Sequence, residues 1–130
     1  MVTPVRDGAE MVRQMRPERV PGAWRFVSVS ETEVLGHLAS VRALFREDEG
    51  YSLLIPAEAD APDAMAQITL QVFSALDGVG LTAAVSATLA EADIPCNVIA
   101  ATHHDHIFVP VAMADRAVAL LQARAAAEAV

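Results

Sequence analysis

The chain has 130 residues, room for one compact domain or two half-size units sharing a core. Hydrophobic residues make up 54% and aromatic residues only 5%, so a core is readily built but rests on Val, Leu, Ile and Ala. A formal net charge of −8 excludes the clustered basic surface that nucleic acid or an anionic membrane requires, and no apolar run approaches the ~20 residues that span a bilayer.

In chain order, Asp7 is placed to cap a short helix to Met15, with Met11, Val12 and Met15 on one face. Pro17 stops it, and Glu18 to Gly22 reads as a linker. Trp24 to Val29 has the aromatic and β-branched content of a strand. Ser30 and Glu33 have capping-box spacing and open a short helical turn near Val34 to Leu38. Val41 to Arg46 and Tyr51 to Ile55 form a hairpin about the polar turn Glu47 to Gly50. Ala57 to Ala66, Ala-rich but interrupted by Pro62, predicts a short helix or two turns. Ile68, Leu70 and Val72 alternate with Thr69 and Gln71 as in a half-buried strand. Ser74 to Gly80 is a loop. From Leu81 the period becomes helical, with Leu81, Val85, Leu89 and Ala92 on one face until Pro95. Cys96 to Ala101 and Ile107 to Val111 are strands, and Met113 to Ala127 closes the chain as a helix with Val118, Leu121 and Ala125 inward.

Each half therefore reads strand, helix, strand hairpin, helix, with the division expected at 1–57 and 58–130. Tyr51 to Pro56 resembles His106 to Pro110 as an apolar run ending in proline, a weak internal repeat. Two βαββα units predict an α+β, ferredoxin-like architecture with antiparallel sheet and helices on one face. Such a unit needs a fourth strand, expected from the other half or from a second molecule. The single Cys96 rules out an internal disulfide framework. The N-terminus, with Arg6, Asp7 and Glu10, lacks the apolar core of a signal peptide. A cytoplasmic protein is the expectation.

Two segments invite a chemical reading. The loop Asp77-Gly78-Val79-Gly80 leads into Leu81 and Thr82 at a helix start, where free N–H groups attract a carboxylate and glycines let a ligand approach. On residue grounds alone the glycines need only make a tight turn. Asn97, at a strand start, either meets a ligand or caps a loop. His104, Asp105 and His106 lie in a polar turn, with both imidazoles on one face of the following strand. Zinc takes four ligands in a structural site and three from the protein in a catalytic one; outside the His103 to His106 turn only His37 and Cys96 remain, with no obvious completing pair, so no metal is expected. Ligand or dimer contact suits the turn better. Cys96 enters an apolar strand as an inert thiol, and no nucleophile elbow, phosphate loop or dinucleotide fingerprint is present. Glu47-Asp48-Glu49 lacks the spaced ligands of a calcium loop. No catalytic residue and no cofactor are expected.

The stretches Ile68 to Ser74, Val79 to Ala83, Ile94 to Val98 and His104 to Pro110, with Phe45 to Gly50 earlier, resemble a family of small bacterial proteins carrying two ACT-like halves in tandem. That family is related to eukaryotic arginine sensors, and the resemblance covers residues 10–122. It implies an ACT fold and a non-catalytic regulatory module that binds a small molecule, typically an amino acid, between ACT units. The ligand set it implies is Asp77, Gly78, Val79, Gly80, Leu81 and Thr82, with Asn97, His104, Asp105 and His106 alongside, in a homodimer. Ala101-Thr102-His103 departs from the family pattern, where a glycine and aromatics are expected. The competing readings are an assembly protein that has lost its ligand and a small metal-dependent enzyme built on the His103 to His106 turn.

Overall fold

The structure, a computed structural model, describes residues 3–128. Asp7 caps α1 (Gly8–Arg13), its carboxylate accepting the Glu10 N–H. The chain then forms β1 (Pro17–Arg19), β2 (Trp24–Val29), a short α2 (Glu31–Val34) that runs into a 3₁₀ turn, and the hairpin β3 (Ala43–Glu47) and β4 (Gly50–Pro56). The capping box is present: Ser30 N–H donates to Glu33, and the Ser30 side chain accepts from the Glu33 backbone N–H. The second half is β5 (Met65–Leu70), α3 (Leu81–Glu91), β6 (Asn97–Ala100), β7 (Asp105–Pro110), a 3₁₀ turn and α4 (Ala114–Ala127). The end of α3 is set before Pro95. Asp93 sits in the left-handed region at φ 57°, and Ile94 N–H returns to Leu89 C=O at 2.9 Å.

All strands join one antiparallel sheet in the order β3-β4-β2-β5-β7-β6, with β1 also paired to β5. The expected linker over Glu18 to Gly22 is corrected at its start. Glu18 and Arg19 lie in β1, opposite Thr69 and Ile68, because β5 has unpaired ladder groups beyond its contact with β2. β1 is the missing fourth strand of the second unit, and the first half supplies it. The ion pair of Arg19 with Asp115 at 3.0 Å ties it to α4. Of the expected helix or turns over Ala57 to Ala66, residues 57–64 are turns, while Met65 and Ala66 already belong to β5, paired with Pro110 and Val109. The first half thus has no long second helix, and α1 instead packs with α3 and α4.

The repeat is visible in the hydrogen bonding. Trp24 pairs with Pro56 as Met65 pairs with Pro110, and Trp24 and Met65 pair with each other. Just outside these pairs, Ala57 N–H donates to Ala23 C=O at 2.9 Å and Val111 N–H to Ala64 C=O at 3.2 Å.

The main core lies between the helices and the second half of the sheet. Met11, Met15, Ile68, Leu89, Ile107 and Leu121 are among its buried members. Trp24, Leu54 and Phe108 form a smaller cluster on the opposite face. Burying a Leu or Ile side chain contributes about 1.5–3 kcal/mol, so the helix-side core supplies most of the stability. Leu121 is fully buried whereas Phe45, equally apolar, is 71% exposed. Leu121→Ala is expected to cost about 2–5 kcal/mol in urea denaturation and Phe45→Ala less than about 0.5 kcal/mol. Comparable losses from the two would contradict this placement of the core.

Candidate functional site

The loop from Ser74 to Gly80 is held from two sides. On one side the N-terminal arm reaches it: Val5 N–H donates to Phe73 C=O at 2.7 Å and Ala75 N–H to Val5 C=O at 2.8 Å. Arg6 pairs with Asp77 at 2.8 Å, and this hydrogen bond holds the Asp77 carboxyl below its ordinary range. Gly8 lies against the loop so closely that a Cβ there would run into the Val79 carbonyl. On the other side, Ser74 N–H donates to His103 C=O at 2.8 Å. Gly80 then opens α3 at φ 117°, a conformation that strains any L side chain, and no side chain caps the helix. The first amides of α3 have no intrahelical acceptor.

These constraints shape a cavity of about 300 Å³. Gly78, Val79, Gly80, Leu81 and Thr82 line it on the loop side, and Asp105 lines it from β7. That is at the small end of ligand cavities, which run from ~300 to ~1,000 Å³. Burial raises the Asp105 carboxyl, a shift opposed by His106 and His104. A helix start that attracts anions thus stands beside a carboxylate that attracts cations. Leu76 and Val79 are 71% and 82% exposed in the same loop.

The remaining sequence-predicted residues lie elsewhere. Asp77 points to Arg6. Asn97 is exposed at the first position of β6, opposite Phe108, and does not line this cavity. His104 meets Phe73 edge-on at 6.1 Å, while its neighbour His103 stacks flat on the same ring at 4.1 Å. Among the described residues no three His, Cys, Asp or Glu side chains gather in a metal-binding group. Burial pushes the Cys96 thiol up, away from thiolate chemistry. The sequence reading missed the arm, Val5 to Gly8. Its one signal was Gly8 directly after the capping Asp7, at a helix start that offers no reason for glycine.

His106 falls on the opposite face of the sheet because successive residues of β7 alternate. There it ends a chain of side-chain hydrogen bonds. Arg42 Nε donates to Gln67 Oε1 at 2.8 Å, which fixes the amide. Gln67 Nε2 donates to Thr69 Oγ1 at 2.9 Å. Gln67 Nε2, which can only donate, also faces His106 Nδ1 at 3.3 Å, so Nδ1 of the neutral ring is the acceptor, for the Thr69 hydroxyl at 3.0 Å as well, and the ring proton is on Nε2.

Against this geometry, an ACT-domain family model matches residues 4–69, and a second ACT-domain model matches residues 63–123. The chain belongs to the ACT-domain family. The two ACT matches share residues 63–69, most of β5. ACT domains are, as a family, small-molecule-binding regulatory modules. The chain is 38% identical to a protein of unknown function from Vibrio cholerae described as a possible transport protein, with 88% of this chain and 93% of that one covered at a TM-score of 0.73. Its ACT fold also matches the aspartokinase alpha and beta subunits, at 15% identity over 83% of this chain and 95% of that one, TM-score 0.62. Aspartokinase III of E. coli, in complex with aspartate and ADP, matches at 16% identity and a TM-score of 0.58 over 85% of this chain and 33% of that one. No curated protein matches the chain.

The His106 network has a pH signature. Burial, with the charges of Arg42 and His104 and against that of Asp105, lowers the His106 imidazole below its ordinary value. The unfolded chain therefore takes up this proton first as pH falls, and stability declines from about pH 6.5 downward. Asp105, raised, acts oppositely in the lower window between its folded value and 3.8, where the folded state takes the proton first. Urea stability is expected to fall between about pH 7 and pH 5.5, and to fall less steeply in His106→Gln. Identical slopes in the two proteins would contradict a neutral, half-buried His106.

Proposed function

We propose that this chain is a non-catalytic ACT sensor that takes an α-amino acid in the cavity at the start of α3. The observation that carries the reading is the pairing of the uncapped α3 N-terminus with Asp105 in one small cavity. The amides suit a carboxylate and Asp105 suits an ammonium group, so the two ends of a zwitterion each have a partner. Thr82 adds a hydroxyl at the same wall. The loop glycines let the ligand's backbone atoms come close, and the side chain of the ligand faces the open mouth.

The exposed Leu76 and Val79 at this mouth favour closure by a second copy, in a homodimer whose ACT units cover each other's ligand. Ligand buried at such a junction stabilises one arrangement and shifts its population, which is how binding becomes regulation. The same exposed residues also support a second reading, assembly without a ligand. A cytoplasmic role fits the acidic composition and lone thiol.

A thermal-shift screen against the twenty amino acids separates the two. A bound amino acid at about 100 times its Kd adds about 2.7 kcal/mol and raises Tm in a concentration-dependent way. Asp105→Asn is expected to weaken that binding by tenfold or more, about 1.4 kcal/mol. If no amino acid shifts Tm, the sensor reading fails and assembly stands.

A further inference from the structure

The face of the sheet away from the helices holds a second cleft of about 490 Å³. It is bounded by the entry to β3 on one side and by β6 and β7 on the other. Those outer strands, β3 and β6, are the two ends of the six-strand order, so the sheet curls until its edges enclose a common space. The walls are apolar: Val41 and Leu44 from the first half, Ile99 and Phe108 from the second. The polar groups are Arg42, Gln67 and His106, and among the described residues no carboxylate lines the cleft.

These polar groups are organised. Gln67 is only 2% exposed, on a strand face where an apolar residue would serve packing better. Its amide spends its oxygen on Arg42 Nε and its nitrogen on Thr69, which holds both Arg42 and His106 in place. Arg42 also lies over the Trp24 ring at 5.1 Å. Using Nε for Gln67 leaves the terminal guanidinium nitrogens for another acceptor. None of the ion pairs among the described residues involves Arg42, although the chain has 17 acidic residues against 9 basic ones. A positioned guanidinium with no counter-charge, at the mouth of an apolar cleft, is half of a carboxylate site.

We propose that this cleft binds a small carboxylate with an apolar body and no amino group, its carboxylate on Arg42 and its body against Phe108 and Ile99. His106 Nε2–H is the second donor. An α-amino acid is disfavoured here, since its ammonium group would meet Arg42 and find no acid. A phosphate is disfavoured because a dianion needs more than one cation or a cluster of backbone amides. The site differs from the α3 cavity, with which it shares only Ala101 of its lining: Asp105 and His106 are neighbours on β7 but project to opposite faces.

Trp24, the single tryptophan, lies against the Arg42 guanidinium and reports on its engagement. The test is a titration of the full chain with phenylacetate, followed by Trp24 fluorescence. A saturable change is expected, weakened at least tenfold in Arg42→Met and in Leu44→Glu. Both side chains are exposed, so both variants are expected to fold, and Leu44→Glu offers Arg42 a competing carboxylate in place. Phenylacetamide and inorganic phosphate are expected to give no saturable change. The proposal is overturned by no saturation below about 10 mM phenylacetate, by unchanged affinity in Arg42→Met and Leu44→Glu, or by an equal response to the amide or to phosphate.

Discussion

Trp24 and Met65 pair across the middle of the sheet, each the first residue of its unit's leading strand and each opposite a proline that ends a returning strand. This contact makes the two halves mutually dependent. β2 continues from the direction of β1, which completes the second unit beside β5, while β5 in turn meets β2. Backbone groups at the margin of one unit are satisfied by the other, and leaving them unpaired in the interior would cost about 1–3 kcal/mol each. Coverage is unequal. All three longer helices lie over the second half, and the first half keeps Phe45 and Leu35 exposed.

The two cavities follow from the same arrangement. β7 runs between them and serves both by simple alternation. Ile107 and Val109 join the helix-side core, Phe108 joins the opposite cluster, Asp105 lines the α3 cavity and His106 lines the cleft. One cavity therefore carries a negative group beside a helix start, and the other carries an unpaired guanidinium beside a neutral imidazole. Neighbouring residues of a single strand have sorted opposite charge preferences onto opposite faces. The curl that brings β3 round to β6 is a consequence of strand twist accumulated over the six-strand path.

Much of this was legible in the sequence. The span Trp24 to Val29 needs no revision, because an aromatic, β-branched run bounded by Gly22 and a Ser30 capping box admits little else. The period change at Leu81 located α3, and the buried face of Leu81, Val85 and Leu89 is the one its spacing dictates. The need for a lent strand followed from counting strands. Its location did not, because Pro17, Glu18 and Arg19 carry no strand propensity and pair only through tertiary contact. The candidate site was half visible. The glycine loop and Asp105 are local features, whereas Val5, Arg6 and Gly8 reach the loop from some seventy positions away, with no local pattern to show it. The network of Arg42, Gln67 and His106 was equally hidden: Gln67 sits in an ordinary alternating strand, and nothing local marks it as buried.

Mutual completion of the halves is best tested by equilibrium urea unfolding followed by two probes. Trp24 fluorescence reports on the first half at the junction, and far-UV circular dichroism at 222 nm is dominated by α1, α3 and α4 over the second half. A single cooperative unit requires the two transitions to coincide in midpoint and slope. Separate transitions, with tryptophan released while helicity persists, would show that the halves fold as independent domains and would contradict the account.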